Sequence, residues 1–262
     1  MALIIDGHNH VWPDAVARKA LAGNVPGMHL FGDGTVAGLR VAQEEAGVDR
    51  SVCLAVANVP EQVEPANRFV GGLDRLRFIP FGTIHPRLPA EENLASLRAH
   101  DVQGVKLHAV FQGYRLDDPA LYDTLALLEG TYPVIVHVGE GAGSDGSMCT
   151  PAMLRAIADT FPRLAVIACH FGGYHKLAEA ESEVVGSRVF LDTSWPPTLA
   201  TVDPGVVRDL IHRHGPDRIV FSSDWPTASP AAELAAVRAL GLPDDETDAI
   251  LGGNLAGLLG LP

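Results

Sequence analysis

The chain has 262 residues, enough for one large domain or two small ones, and 47% of them are hydrophobic against 19% charged, which excludes a disordered chain. A formal net charge of −13 argues against nucleic acid and anionic membrane surfaces as partners. Three cysteines with no C-x-x-C pair exclude a disulfide framework and a cysteine-rich zinc module.

The apolar run at 3–5 predicts a first strand. No run approaches the ~20 apolar residues of a membrane helix. The opening MALIIDGHNH lacks a positive start and reaches Asp6 and His8 too early for a signal peptide, so a cytoplasmic protein is expected. A Gly- and Pro-rich stretch at 11–35 follows and predicts a long loop. Thereafter strands and helices alternate. Strands are predicted at 51–56, 77–83, 104–108, 134–138, 164–170, 189–193 and 219–222. Each run is short, apolar and little alternated, as parallel strands buried on both faces are. Helices are predicted at 36–46, 61–70, 90–99, 119–128, 151–161, 174–185, 206–214 and 230–240, with a closing one at 244–259. Asp118, Thr150 and Asp203 each precede a proline and mark helix starts.

After the first strand, the strand starts recur about every 25–30 residues, which predicts a single (β/α)₈ TIM barrel over 1–262 with an extra C-terminal helix. A doubly wound sheet has no support, because no glycine-rich phosphate loop follows any strand. In a barrel the 11–35 stretch is a catalytic-face loop, so it reads as a lid in which Met28, Leu30 and Phe31 pack over the mouth.

Polar residues collect at the C-terminal ends of the predicted strands. Asp6, His8 and His10 end the first strand. His85, His108, His137 and His170 end the third to sixth, and Asp192 and Asp224 the last two. Six of the eleven histidines thus fall where barrel chemistry sits. His8 and His10 are two apart on extended chain, so both imidazoles point to one face and begin a divalent transition-metal site. His137 and Asp224 complete an open site of three His, one Asp and a water. His170 can be a ligand, a general base or a packed core residue. Lys106 and His108 alternate on the fourth strand and are candidates for substrate binding. Lys106 would hold a carboxylate or form an ion pair. Arg115 and Tyr114 have anion-binding potential, Glu140 can support His137, and Asp192 reads as a structural partner for a His or backbone group. His85 caps a turn or serves the site. Trp12, Trp195 and Trp225 follow neighbouring strands and either form one aromatic wall at the mouth or pack separately. Cys53 and Cys169 read as inert core thiols.

These motifs form a set. D-G-H-N-H at 6–10, G-V-K-L-H at 104–108, V-I-V-H-V-G at 134–139, A-C-H-F-G-G at 168–173 and F-S-S-D-W-P at 221–226 come in that order. Together they resemble the amidohydrolase superfamily, in the branch related to aminocarboxymuconate semialdehyde decarboxylase and metal-dependent TIM-barrel hydrolases. The resemblance runs from Asp6 to Leu261. It implies that His8 and His10 are the strand-one ligand pair, His137 the strand-five ligand and Asp224 the strand-eight ligand of one divalent ion, taken as zinc. His170 matches the strand-six histidine that assists a metal-bound water in mononuclear members. Two departures stand out. Gly257 replaces the arginine usual in the closing helix, and the chain is shorter than the decarboxylases, so their substrate contacts are not carried over.

The expected function is a metal-dependent hydrolase of a small carboxylate-bearing lactone, ester or amide. A metal-activated water attacks a polarised carbonyl, and Asp224 and His170 move the proton. A nonoxidative decarboxylase of an unsaturated or aromatic acid is the alternative. A non-catalytic binding barrel is a third reading, against which the complete ligand set speaks. A dinuclear site bridged by carboxylated Lys106, with His137 and His170 on a second metal, and metal-free lactonase chemistry both stay open, as does homo-oligomer formation.

Overall fold

The computed structural model describes residues 2–24, 30–141 and 143–261. In chain order the elements are β1 (Ile5–His10), α1 (Asp14–Asn24), α2 (Val36–Ala46), β2 (Arg50–Leu54), α3 (Val63–Gly71), β3 (Phe78–Thr83), α4 (Ala90–Ala99), β4 (Gly104–Leu107), α5 (Ala109–Gln112) and α6 (Pro119–Leu128). They continue with β5 (Val134–Val136), α7 (Pro151–Thr160), β6 (Val166–Ala168), α8 (Leu177–Glu183), β7 (Phe190–Asp192), α9 (Pro204–His214), β8 (Ile219–Val220), α10 (Pro230–Ala239), α11 (Asp244–Asp248) and α12 (Asn254–Leu259).

All strands are parallel and pair in chain order from β1 to β8. Backbone bonds close the ring between the last strand and the first: Gly7 N–H donates to Phe221 O at 2.9 Å, Asp224 N–H to His8 O at 2.9 Å and His10 N–H to Trp225 O at 2.7 Å. The result is a (β/α)₈ barrel. It is a packed core, because Ile5, Leu54, Ile79, Phe81, Ile135 and Ile167 fill its interior. Leu255 of α12 joins that interior cluster, so the closing helix covers the barrel end where the strands begin. Gly252 lies just before it. A side chain there would strike the carbonyl of Leu3, and a π-helical turn at Ala249–Gly253 interrupts the expected 244–259 helix.

The helix start signals work through their side chains. Thr150 accepts from Met153 N–H, Asp118 from Ala120 N–H, and Asp203 from Gly205 and Val206 N–H. Helices α2, α4 and α6 have the bounds the amphipathic pattern predicts. Three expectations need correction. The first strand is not 3–5 but Ile5–His10, because its polar residues are buried and hydrogen-bonded rather than excluded from the sheet. The helix expected from 174 begins only at Leu177, since His170–Gly172 takes a tight 3₁₀ turn with Phe171 at φ 51°. The 11–35 stretch is not a plain loop: it holds α1, whose first turn bonds Val16 and Ala17 N–H to Pro13 O. Met28, expected to pack over the mouth, lies outside the described residues.

Candidate metal centre at the barrel mouth

β1 delivers His8 and His10 to the mouth, and the turn after β8 delivers Asp224 beside them. His8 Nε2 lies 3.1 Å from His10 Nε2 and 3.2 Å from Asp224 Oδ1, and His10 Nε2 lies 3.6 Å from that same oxygen. These three residues form a buried group whose ligand atoms all fall within 4.8 Å of one another. The spacing matches a shared ion: with metal–ligand bonds of about 2.0–2.1 Å, neighbouring ligands of a tetrahedral ion stand roughly 3.4 Å apart.

The partners of each ring fix its tautomer. His8 Nδ1–H donates to Asp192 Oδ2 at 2.9 Å, which leaves Nε2 as a lone pair aimed at the group. Asp192 also accepts from His170 N–H at 2.7 Å and from Ser194 Oγ–H at 2.7 Å. It acts as the structural partner that the sequence suggests. Ser194, which no sequence signal marks, ties Asp192 to His170, with its Oγ 2.9 Å from His170 Nδ1.

His137 lines the same cavity but is not in the three-residue group. Its Nε2–H donates to Glu140 O at 2.9 Å, so Nδ1 is bare. His170 Nδ1–H donates to Ser194 O at 3.1 Å, so its Nε2 is bare too. These two bare nitrogens face each other at 3.2 Å, which only a cation or a shared proton relieves. Burial brings His137 down to about 4 and holds His170, His8, His10 and His108 well below the ordinary imidazole range. Neutral imidazoles are what a metal takes. Burial pushes the Asp224 carboxyl well above its usual range, with the Lys106 charge opposing the shift. The donor set of imidazoles and one carboxylate suits a divalent transition metal.

Asp224 and His170 both sit in left-handed backbone, at φ 61° and 59°. Non-glycine residues rarely adopt it, and such strain gathers at functional sites. Asp6 holds the turn in place. Its carboxyl accepts from Ser223 Oγ–H at 2.6 Å and Ser223 N–H at 2.9 Å, and burial raises it to about 6.

A small cavity of about 60 Å³ opens over the group. His108 forms one side, stacked between Phe111 at 3.8 Å and His137 at 4.2 Å between ring centroids. Trp12 stacks on His10 at 6.0 Å. Ala20, Leu21 and Leu30, from the 11–35 stretch, and Tyr174, Pro196 and Pro226 complete the wall.

Lys106 is absent from the cavity lining but touches the group: it is fully buried, with Nζ 3.2 Å from His8 Nε2 and 3.3 Å from Cys169 Sγ. Several other expected site residues lie elsewhere. The three tryptophans do not form one wall. Trp225 is buried with Val11, Leu39 and Phe78, and Gly32 leaves room for its ring. Trp195 packs edge-on to Tyr174 outside the lining. Arg115 pairs with Asp117 on the surface, and Tyr114 is buried with its hydroxyl on Gln112. His85 is structural: its Nδ1 accepts from Arg87 N–H and its Nε2 meets Gln112 O. Cys53, Cys149 and Cys169 are free and buried, and burial raises their thiols.

The profile of the Amidohydrolase family matches residues 5–261. The chain belongs to the amidohydrolase family. It is accordingly a metal-dependent enzyme, an amidohydrolase-type hydrolase or a related decarboxylase. No curated protein sequence matches this amidohydrolase. Solved structures share its fold at low identity. The 5-carboxyvanillate decarboxylase LigW from Sphingomonas paucimobilis matches with a TM-score of 0.75 at 17% identity, covering 100% of both chains. A dihydroxybenzoic acid decarboxylase from Polaromonas sp. JS666, with bound manganese and the inhibitor 2-nitroresorcinol, matches at 0.75 and 16%, covering 99% of this chain and 97% of that one. A probable 2-pyrone-4,6-dicarboxylic acid hydrolase from Acinetobacter baumannii, with citric acid bound, matches at 0.69 and 17%, covering 98% and 99%. No helix among the described residues is long and apolar enough to cross a membrane.

Proposed function

We propose that this amidohydrolase, read as one domain, is a nonoxidative, metal-dependent decarboxylase of an aromatic or unsaturated carboxylic acid. The carrying observation is the largely apolar cavity built directly over the His8–His10–Asp224 group. Two decarboxylases described above, among others that match, support the same reading.

His8, His10 and Asp224 hold the ion, and the bare Nδ1 of His137 makes it the fourth ligand. When bound, a divalent cation holds the substrate's oxygens and stabilises charge that develops on them. Manganese, present in the Polaromonas enzyme, and zinc are the two identities to test. Asp224 lines the cavity and carries the proton to the substrate carbon. As that C–H bond forms, the bond to the carboxylate breaks and carbon dioxide leaves. Thr227 Oγ1–H, 3.1 Å from Asp224 Oδ2, orients the carboxyl. His170, at the cavity wall, exchanges the proton with solvent or substrate. Trp12, Ala20, Leu21 and Leu30 act as the lid, shutting water from the reacting carbon.

A hydrolase of a carboxylate-bearing lactone, ester or amide is the second reading, favoured by the Acinetobacter structure. A panel of aromatic acids and small lactones, given to the metal-loaded protein, separates the two. Carbon dioxide release from an acid supports the proposal. Lactone opening without carbon dioxide release replaces it with hydrolysis. Loss of bound metal in His137→Asn supports the fourth ligand, and full retention removes it.

A further inference from the structure

Lys106 is a charge in a place that offers it little. Strand pairing sets it beside Thr83 of β3 and Ile135 of β5. Alternation turns it into the barrel, while Val105 and Leu107 on either side join the cluster shared with the helices. The interior cluster is apolar, and its neighbours Ile135 and Cys169 belong to it. A fully buried ammonium is costly unless it is paired. Among the described residues no carboxylate forms an ion pair with it. Its Nζ–H groups go to His8 Nε2 at 3.2 Å and to Cys169 Sγ at 3.3 Å.

His8 Nε2 has a single lone pair. The ring proton is on Nδ1, spent on Asp192 Oδ2, so Nε2 carries none. That lone pair accepts Nζ–H of Lys106 or binds an ion, but not both. The same nitrogen stands 3.1 Å from His10 Nε2 and 3.2 Å from Asp224 Oδ1, so Nζ reaches the ligand group itself rather than a residue behind it. The charge acts on every proposed ligand. Burial first, and Lys106 after it, hold His8, His10 and His137 below the ordinary imidazole range. Lys106 also opposes the upward push of burial on Asp224. A charge that favours the Asp224 carboxylate serves the group as a cation, and it repels a divalent ion brought to the same atoms.

We propose that Lys106 is a resident cation of this centre, which competes with the divalent ion for His8 Nε2 and so lowers the affinity with which the ligands hold that ion. An ion that binds sends Nζ off His8 and leaves it Cys169 Sγ as a partner. The inference rests on the proposed ligand set and on neither of the two reactions.

The test is chelator competition for Mn²⁺ and Zn²⁺ with the full chain, unaltered and as Lys106→Met, which removes the charge and keeps an unbranched side chain. Lys106→Met should bind either ion at least ~10-fold more tightly. Lys106→Gln, neutral but still able to donate to His8 Nε2, should gain by a smaller factor, and it carries the test if the methionine variant does not fold. Removing a residue that merely supports the site would loosen the ion, so the direction of the change decides. Unchanged or weaker affinity in a folded variant overturns the inference. The ligand set is tested separately by adding His10→Asn to Lys106→Met, which should abolish the gain. A gain that survives places the ion elsewhere and overturns ligand set and inference together, as does the absence of any bound ion in all of these proteins.

Discussion

The seam where β8 meets β1 and the wall made by β4, β5 and β6 both carry buried histidines, but they satisfy them differently. At the seam, His8 and His10 meet the carboxylates of Asp192 and Asp224. On the wall, His108 and His137 meet each other, Phe111 and the carbonyl of Glu140. Carboxyl groups gather at one side of the site and stacked rings at the other. The seam offers the group for a cation, to which the proposed ligand set adds His137, while the rest of the wall shapes the space above it. His170 bridges the two, through Asp192 on one side and His137 on the other.

Substitutions sharpen this contrast, beginning with the largest effect. Asp224→Asn keeps volume but removes the carboxyl that, in the proposed mechanism, serves both the cation and the proton. Turnover should fall by about 10³-fold or more, with metal content reduced on elemental analysis. His170→Asn should lower turnover by roughly 10²-fold with metal content unchanged, because the proposed ligands are other residues. Metal loss in that variant would make His170 a ligand and favour a dinuclear site. Asp192→Asn should weaken metal affinity by about 10- to 100-fold in a chelator competition, since it frees His8 Nδ1 from the bond that sets its tautomer. His108→Asn removes a stacked ring from the wall. It should raise KM by roughly 3- to 10-fold and leave metal affinity alone. A drop in metal affinity there would erase the distinction between seam and wall.

The seam and the histidines of the wall were largely legible in the sequence, and the rest of the wall was not. His8 and His10 announce themselves by their two-residue spacing, and Asp224 by following a regularly spaced strand. Regular spacing also made the barrel legible, together with the caps at Asp118, Thr150 and Asp203. Apolar pattern failed where polar residues are buried. It ended the first strand at 5, although Asp6, His8 and Asn9 continue it by finding partners inside the sheet. It also hid α1, because Gly and Pro dominate the surrounding stretch. Wall residues such as Phe111, Tyr174 and Pro196 carry no chemistry that marks them, and only folding brings them to the mouth. Strand alternation turns Lys106 inward, as the structure has it, but does not say how deep it sits, so its contact with His8 was not legible. The tryptophans misled for a related reason: neighbouring strands bring three rings near the mouth without turning them to the same space.

Metal stoichiometry tests the central claim most directly. The protein and two variants, His10→Asn from the seam and His108→Asn from the wall, are each reconstituted with Mn²⁺ or Zn²⁺, freed of excess ion and subjected to elemental analysis. The account predicts one ion per chain in the unaltered protein, none in His10→Asn and one in His108→Asn. Two ions per chain in the unaltered protein, or a full complement retained by His10→Asn, would contradict it.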